Sequence, residues 1–362
     1  GGRSRHVKRL VLRRREEVLR GGQPLAFFVG LLFALVVGAV LLTVSGDPVF
    51  DTYQRMWDRS FGTADTLSAT INRAVPLALA GLAVSIAATM GLWNIGAEGQ
   101  IMFGATAATL VGRIGADWPS PVLITAMLIG AAIGGALWAL GPGLAKAEIG
   151  VSEIITTLML NEVAVRLIVY LQTGPWKDPD GFGFPQITAK PEGSQLGIIW
   201  ERSHLGVLLA LVVIAGFAWF VNRSVWGYEL RIAGASVKTA AYAGISMRKK
   251  VLGVMLLSGA VAGFAGGIEL AGTAARLNEN ISNGFGFAGI IVAALALMRP
   301  SGVALVAVFF GAVQVGGQSI QTLGISPAVA GILQALILFG AIGAAVLSTH
   351  QVVVAERKMV AT

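Results

Sequence analysis

Charge distribution most limits what this chain can fold into. Charged residues collect in a few short clusters, and the stretches between them stay apolar for about 18–22 residues at a time. A run of that length crosses a hydrocarbon core of about 30 Å as a helix. Only 13% of the residues are charged and 55% are hydrophobic, whereas a soluble globular chain carries about 25% charge. The 48 glycines lie largely inside the apolar runs, beside many alanines. Small residues there let helix backbones touch in lipid, where no hydrophobic effect draws helices together. The composition excludes an ordinary soluble enzyme and predicts an all-α polytopic membrane protein.

The net charge of +8 does not point to nucleic acid, because the excess is topological. Arg3, Arg5, Lys8, Arg9, Arg13, Arg14, Arg15 and Arg20 precede the first apolar run, and Arg223, Arg231, Lys238, Arg248, Lys249 and Lys250 fall in 222–250. Retained basic loops face the cytoplasm. Spans are expected near 25–44, 75–92, 101–115, 121–141, 150–171, 204–221, 251–271, 284–298, 302–320 and 327–347, about ten in all. The first is too long for a signal-peptide core and lacks a small-residue cleavage site, so it reads as a retained span. An even number of crossings puts both termini inside, where Arg357 and Lys358 agree, and sends 45–74 and 172–203 outside. The expected organisation is a basic cytoplasmic segment 1–24, a membrane domain 25–348 and a cytoplasmic tail 349–362. Ten spans divide as a 5+5 inverted repeat, and Asn94-Ile95 and Asn280-Ile281 open matching glycine-rich stretches. The proline-rich loop 172–203 reads as irregular or as one short helix, serving as a connector or as a docking surface for a soluble binding protein.

Polar residues inside these runs are the candidates for chemistry. Asn94, Glu98 and Gln100 sit among glycines between two apolar runs. They form either a cytoplasmic turn or a broken helix beside a translocation path, with Glu98 and Asn94 bonded to free backbone amides. Irregular backbone at membrane depth is tolerated only when buried in protein or lining a wet cavity. Along 150–171, Glu153, Thr157 and Asn161 recur at i, i+4, i+8 and share one helix face, as interhelical glue or as a pore lining. Glu162, deep in the same run, is expected to face a pore or pair internally. Asn280, Phe285 and Phe287 follow the seventh span, where the rings either pack or meet cargo. The basic segment 222–250 contains an Ala-rich helix-prone stretch, Val237 to Ala243, between Gly234 and Gly244; it reads as a connector or as a helix that docks into a motor subunit.

Several other chemistries are disfavoured. GFGFAG at Gly284–Gly289 fits a dinucleotide fingerprint, but no strand or acidic ribose partner accompanies it. VGGQS at Val315–Ser319 lies inside an apolar run, and no Gly-Lys pair exists to build a phosphate loop. The chain has no cysteine and only His6, His204 and His350, so no metal site is expected. No cofactor is expected on this chain.

The runs NIGAEGQ (Asn94–Gln100), TLMLNEVA (Thr157–Ala164), GYELRIAGASVKTAAYAGIS (Gly227–Ser246), SGAVAGFAGGIE (Ser258–Glu269) and GFGFAGIIVAAL (Gly284–Leu295) occur in order across roughly Leu67 to Leu347. They resemble the ABC importer permeases of the branched-chain amino acid and simple-sugar family, most closely the nucleoside branch. The resemblance implies a type II importer fold of ten helices in a bacterial cytoplasmic membrane. It implies partners: ATPase subunits that carry the ATP and magnesium, a second and different homologous permease, and a lipid-anchored or soluble nucleoside-binding protein. It places ATPase coupling on Ala235, Ser236, Lys238, Ala240, Ala241, Tyr242, Ala243 and Gly244. Three positions depart from the family pattern: Glu162 replaces an aromatic, Ser236 a frequent asparagine, and Arg299 the asparagine usual before Pro300. Outside this class, an ion-coupled carrier using Glu98, Glu153 or Glu162 and a purely structural membrane subunit are the competing readings. Within it, ribose-like sugars or branched-chain amino acids are the competing cargoes.

Overall fold

The computed structural model describes residues 6–14, 22–181, 183–326 and 328–358. The remainder of the expected basic segment 1–24 and of the tail 349–362 lies outside the described residues.

The elements run β1 (His6–Arg14), α1 (Gly22–Ser45), α2 (Val49–Phe61), α3 (Ala64–Ala88), α4 (Ala97–Ile114), α5 (Ser120–Leu144) and α6 (Glu153–Thr173). They continue with β2 (Ile198–Trp200), β3 (Ser203–His204), α7 (Gly206–Arg223), α8 (Val225–Ala235), α9 (Val237–Tyr242) and α10 (Met247–Gly272). The last are α11 (Phe285–Leu295), α12 (Pro300–Ser319), α13 (Ala328–Thr349) and β4 (His350–Lys358). Among the described residues, seven helices are long and apolar enough to cross a membrane. They correspond to seven of the runs expected from sequence. Of the other three, α11 is 11 residues long, α13 is an apolar helix of 22 residues, and α4 opens with the polar Glu98 and Gln100.

The chain divides into two units, one within Gly1–Arg55 and Gly317–Thr362, the other Met56–Gly316. In the first, α1 packs on α13. At Gly30 any side chain would collide with the backbone of Ile337 and Ala341, so the contact is backbone to backbone. The valine-rich β4 pairs antiparallel with β1, from His6 opposite Lys358 to Arg14 opposite His350. Neither strand is expected from sequence.

The second unit is built around α10, which packs against α5, α4 and α3. A Cβ on Gly263 would meet the Ala131 carbonyl and the Gly135 backbone on α5, and Gly104 on α4 meets the Gly263 backbone in the same way. Glycine there is a packing requirement, since only its absence of a side chain lets three helices converge. The described residues of segment 174–203 form no helix; they carry the β2–β3 hairpin and a bridge between Lys177 and Ile187. It is firmly attached. Lys190 Nζ donates to the carbonyls of Leu270 and Ala271 at 2.9 and 3.2 Å, the Leu196 amide donates to Ala271, and Arg202 pairs with Asp65. Ile187 is fully buried in the cluster formed by Met127, Ile168 and Leu270.

The basic segment folds as two short helices. The Ser224 hydroxyl accepts the Gly227 amide at 3.0 Å to start α8. Ser236 accepts the Thr239 amide at 3.2 Å to start α9, and Gly244, at φ +72°, ends the turn that follows. Gly234 lies within α8 rather than before a turn. Serine at 236, where the resemblance leads one to expect asparagine, exchanges one good N-cap for another.

Candidate functional site

Two helix starts, those of α4 and α11, meet in the second unit. After α3, residues 89–96 leave the helix and α4 restarts at Ala97; after α10, residues 273–284 intervene before α11 restarts at Phe285. Gly96 and Gly284 occupy the N-cap positions, where neither supplies a side-chain cap. The first amides of both helices therefore need acceptors from elsewhere.

The sequence provides them. Asn161, on the buried face of α6, accepts the Gly99 amide through Oδ1 at 2.9 Å and donates from Nδ2 to the Ile95 carbonyl at 2.9 Å. Glu98, only 6% exposed, accepts the Gly284 and Gly286 amides at 3.1 and 2.7 Å. Asn94 closes the break on itself, because its Oδ1 accepts the Gly96 amide at 3.1 Å. Its Nδ2 donates to Gln100 and to Ser258, each at 2.7 Å, and Ser258 donates onward to the Ala83 carbonyl at 2.6 Å. The side chains of Asn94, Glu98, Gln100, Asn161 and Ser258 are all buried and hydrogen-bonded, as low-dielectric surroundings require. The expected bonds from Glu98 and Asn94 to free amides are present.

The stripe on α6 belongs to the same assembly. Glu153 accepts the Trp93 amide at 3.3 Å and pairs with Lys146 at 2.8 Å. Thr157 donates to the Glu153 carbonyl at 2.6 Å and lies so close to Gly96 that a side chain there would collide with it. All three stripe residues are buried against the break rather than open to a cavity. Glu162 faces the other way: it is exposed and pairs with Arg166 one turn on, at 2.6 Å. Asn280 is exposed in the turn before α11, and its amide is held by Asn278. Phe285 is fully enclosed beneath the Arg73 guanidinium, 4.6 Å from the ring centre, while Phe287 is exposed. Asn94, Glu98, Gln100, Thr157 and Asn161 thus come together, Phe285 stands beside them, and Glu162, Asn280 and Phe287 do not join.

Sequence reasoning missed Ser258 and Arg73. Ser258 is a solitary hydroxyl in an apolar run, a weak signal. Arg73 also donates to Gln314 at 2.9 Å, and its isolation as a cation just before the second expected span was a stronger one. On the side of the basic segment, Lys250 pairs with Glu229 and lies over Trp226, joining α10 to α8, and Arg248 pairs with Glu148. A side chain at Gly234 would meet the Thr89 and Met90 backbone, so α8 abuts the start of the break directly. Tyr242 on α9 is 93% exposed, whereas Ala240 is buried.

Residues 66–342 match the family model described as the permease component of a branched-chain amino acid transport system. The chain belongs to this permease family. The permease is 37% identical over 293 residues to the guanosine ABC transporter permease protein NupP of Bacillus subtilis, covering 80% of this chain and 84% of that one. It is 35% identical over 322 residues to the glucose ABC transporter permease protein TsgB13 of Haloferax volcanii, covering 85% and 84%. The nucleoside ABC transporter permease protein NupB of Lactococcus lactis is 25% identical over 322 residues, covering 86% and 88%. All three relatives are named as permease proteins of ABC transporters. The family and the seven apolar helices make the chain a multi-pass membrane protein.

Proposed function

We propose that this chain forms half of the translocation pathway of an ATP-driven importer, and that its cargo is a nucleoside. The observation that carries the reading is the 37% identity to a guanosine permease over 80% of the chain, supported by the nucleoside permease among the other relatives. ATP and magnesium are bound and used by partner ATPase subunits, a second homologous permease completes the pathway, and a lipid-anchored or soluble binding protein delivers the cargo. A second reading has a specific basis: the glucose permease is 35% identical, so a neutral sugar is the alternative cargo. Both cargoes are neutral and polar.

The membrane domain, 25–348, is read as ten helices in a 5+5 inverted repeat. What supports the repeat is a reciprocal arrangement: α4 packs on α10 while α11 packs on α3, and each restarting helix follows a glycine N-cap. The pairing of β1 with β4 brings the start of α1 and the end of α13 to one side, and the basic clusters make that side cytoplasmic. Segment 172–203 then faces outward as the docking surface. Asn94, Glu98, Gln100, Thr157 and Asn161 brace the pathway; Glu162, Asn280 and Phe287 are its candidate lining, with Phe285 supporting from behind. Residues Ala235 to Gly244 couple to the ATPase, with exposed Tyr242 as the main contact.

Uptake of radiolabelled adenosine, uridine and glucose, in cells with and without the gene, tests the cargo. Nucleoside uptake that depends on the gene and on ATP, with the ion gradient clamped, is the expected result. Lost glucose uptake with intact nucleoside uptake moves the cargo to sugars. Uptake that follows the ion gradient rather than ATP overturns the importer.

A further inference from the structure

We propose that Glu98 is a positioning residue: a buried carboxyl group that pins the start of α11 to the start of α4, so that the two helices move as one body. Each end of the pin is a structural necessity. Gly284 is in the left-handed region at φ +77° and offers no side chain to cap α11. The Gly284 and Gly286 amides both donate to Glu98 instead, across 186 and 188 positions of sequence. A carboxylate suits this task, since both of its oxygens accept and neither donates. It also complements the positive end of the helix it caps.

The backbones leave no slack around the pin. A side chain at Gly286 would collide with the backbone of Ala97 and Glu98, so α11 starts in direct contact with the first turn of α4. The arrangement is repeated one step back, because α4 is capped by Asn161 of α6. Three helices form a relay: α6 holds the Gly99 amide of α4, and α4 holds the Gly284 and Gly286 amides at the start of α11. Glu98 joins the two halves of the expected repeat at these helix starts, beside the bond from Asn94 to Ser258 of α10. Because the dipole end of α11 is already satisfied from within, that helix start is closed to an anionic solute. The inference deepens the permease reading in one respect, the transport readout; the pin itself is tested without cargo.

The experiment uses the full chain with its partner subunits, purified and reconstituted. Amide hydrogen exchange over residues 284–290 is compared between wild type and E98Q, a near-isosteric change that keeps one acceptor and turns an N–H₂ toward a donor. Exchange about 10- to 100-fold faster in E98Q, confined to the α11 start, is expected from the loss of charge-assisted bonds. Uptake should fall about tenfold while ATP hydrolysis continues. In E98A, formate should restore part of the uptake by supplying two carboxylate oxygens to the vacated amides, whereas formamide should not. Protection in E98Q equal to wild type overturns the pin, whatever the cargo proves to be. Faster exchange with wild-type uptake leaves the cap but refutes the coupled movement. If E98A is not recovered folded, E98Q alone decides.

Discussion

Truncating Asn161 isolates the cap that starts α4. Asn161→Ala removes two hydrogen bonds at once, from the Gly99 amide and to the Ile95 carbonyl, both 2.9 Å long. Interhelical bonds in membranes are worth about 0.6–2 kcal/mol each, so their loss alone amounts to about 1–4 kcal/mol. Neither backbone group has a replacement close by: the amide is one of the first four of α4, which no helical carbonyl serves, and the carbonyl lies in the break. The cost should therefore sit in the upper half of that range. Asn161→Asp keeps the acceptor for Gly99 but sets a carboxyl against the Ile95 carbonyl, so it should recover less than half of the loss. Unfolding free energies measured by steric trapping in bicelles give both values directly. A change within about 0.5 kcal/mol of wild type for Asn161→Ala, the size expected of an unimportant surface site, would refute the idea that caps supplied from distant helices hold the breaks in place.

Gly263→Leu should abolish recovery of folded protein, since its side chain would enter the backbones of α5. Gly216→Leu, where the space is open, should leave yield and melting unchanged. Burial, and then the charge of Lys190, hold the His204 imidazole below its ordinary range, so the folded state disfavours the protonated form. Stability should be complete above about pH 6.5 and decline as pH falls below it. Melting curves should show that decline in wild type and not in His204→Gln. Tyr242→Ala should leave unfolding energy within about 0.5 kcal/mol of wild type yet reduce ATP-driven uptake and co-purification with the ATPase. A stability loss without a transport defect would remove Tyr242 from the coupling surface.

The long spans were legible because hydropathy over about 20 residues is a local property; α1, α5, α6, α7, α10 and α12 follow the runs closely. The first break was legible from Asn94, Glu98 and Gln100 standing among glycines, and α9 from its Ala-rich stretch. The true start of α3 at Ala64 was not, because Asp65, Asn72 and Arg73 lower the hydropathy of a helix that is largely buried in protein rather than lipid. Helix α2 escaped for a related reason: its apolar face, with Phe50 and Trp57, alternates with Asp51, Arg55, Asp58 and Arg59, and an average over the segment cancels the pattern that a 3.6-residue period would have exposed. The partner of Glu98 could not be read at all, since a contact 186 residues away leaves no periodicity. The orientation of Glu162 could have been: Arg166 lies four residues on, the spacing of an ordinary surface pair.

Helix α10 is the longest α-helical connection inside its unit. It contains no proline and runs unbroken for 26 residues, about 39 Å at 1.5 Å per residue. Near one end, Lys250 ties it to α8; at the other, the carbonyls of Leu270 and Ala271 hold Lys190 and Leu196 of the 174–203 segment. Midway, Ser258 grips the first break. The helix is thus one continuous rod, held at both ends and at its middle, that links α8, the first break and the 174–203 segment.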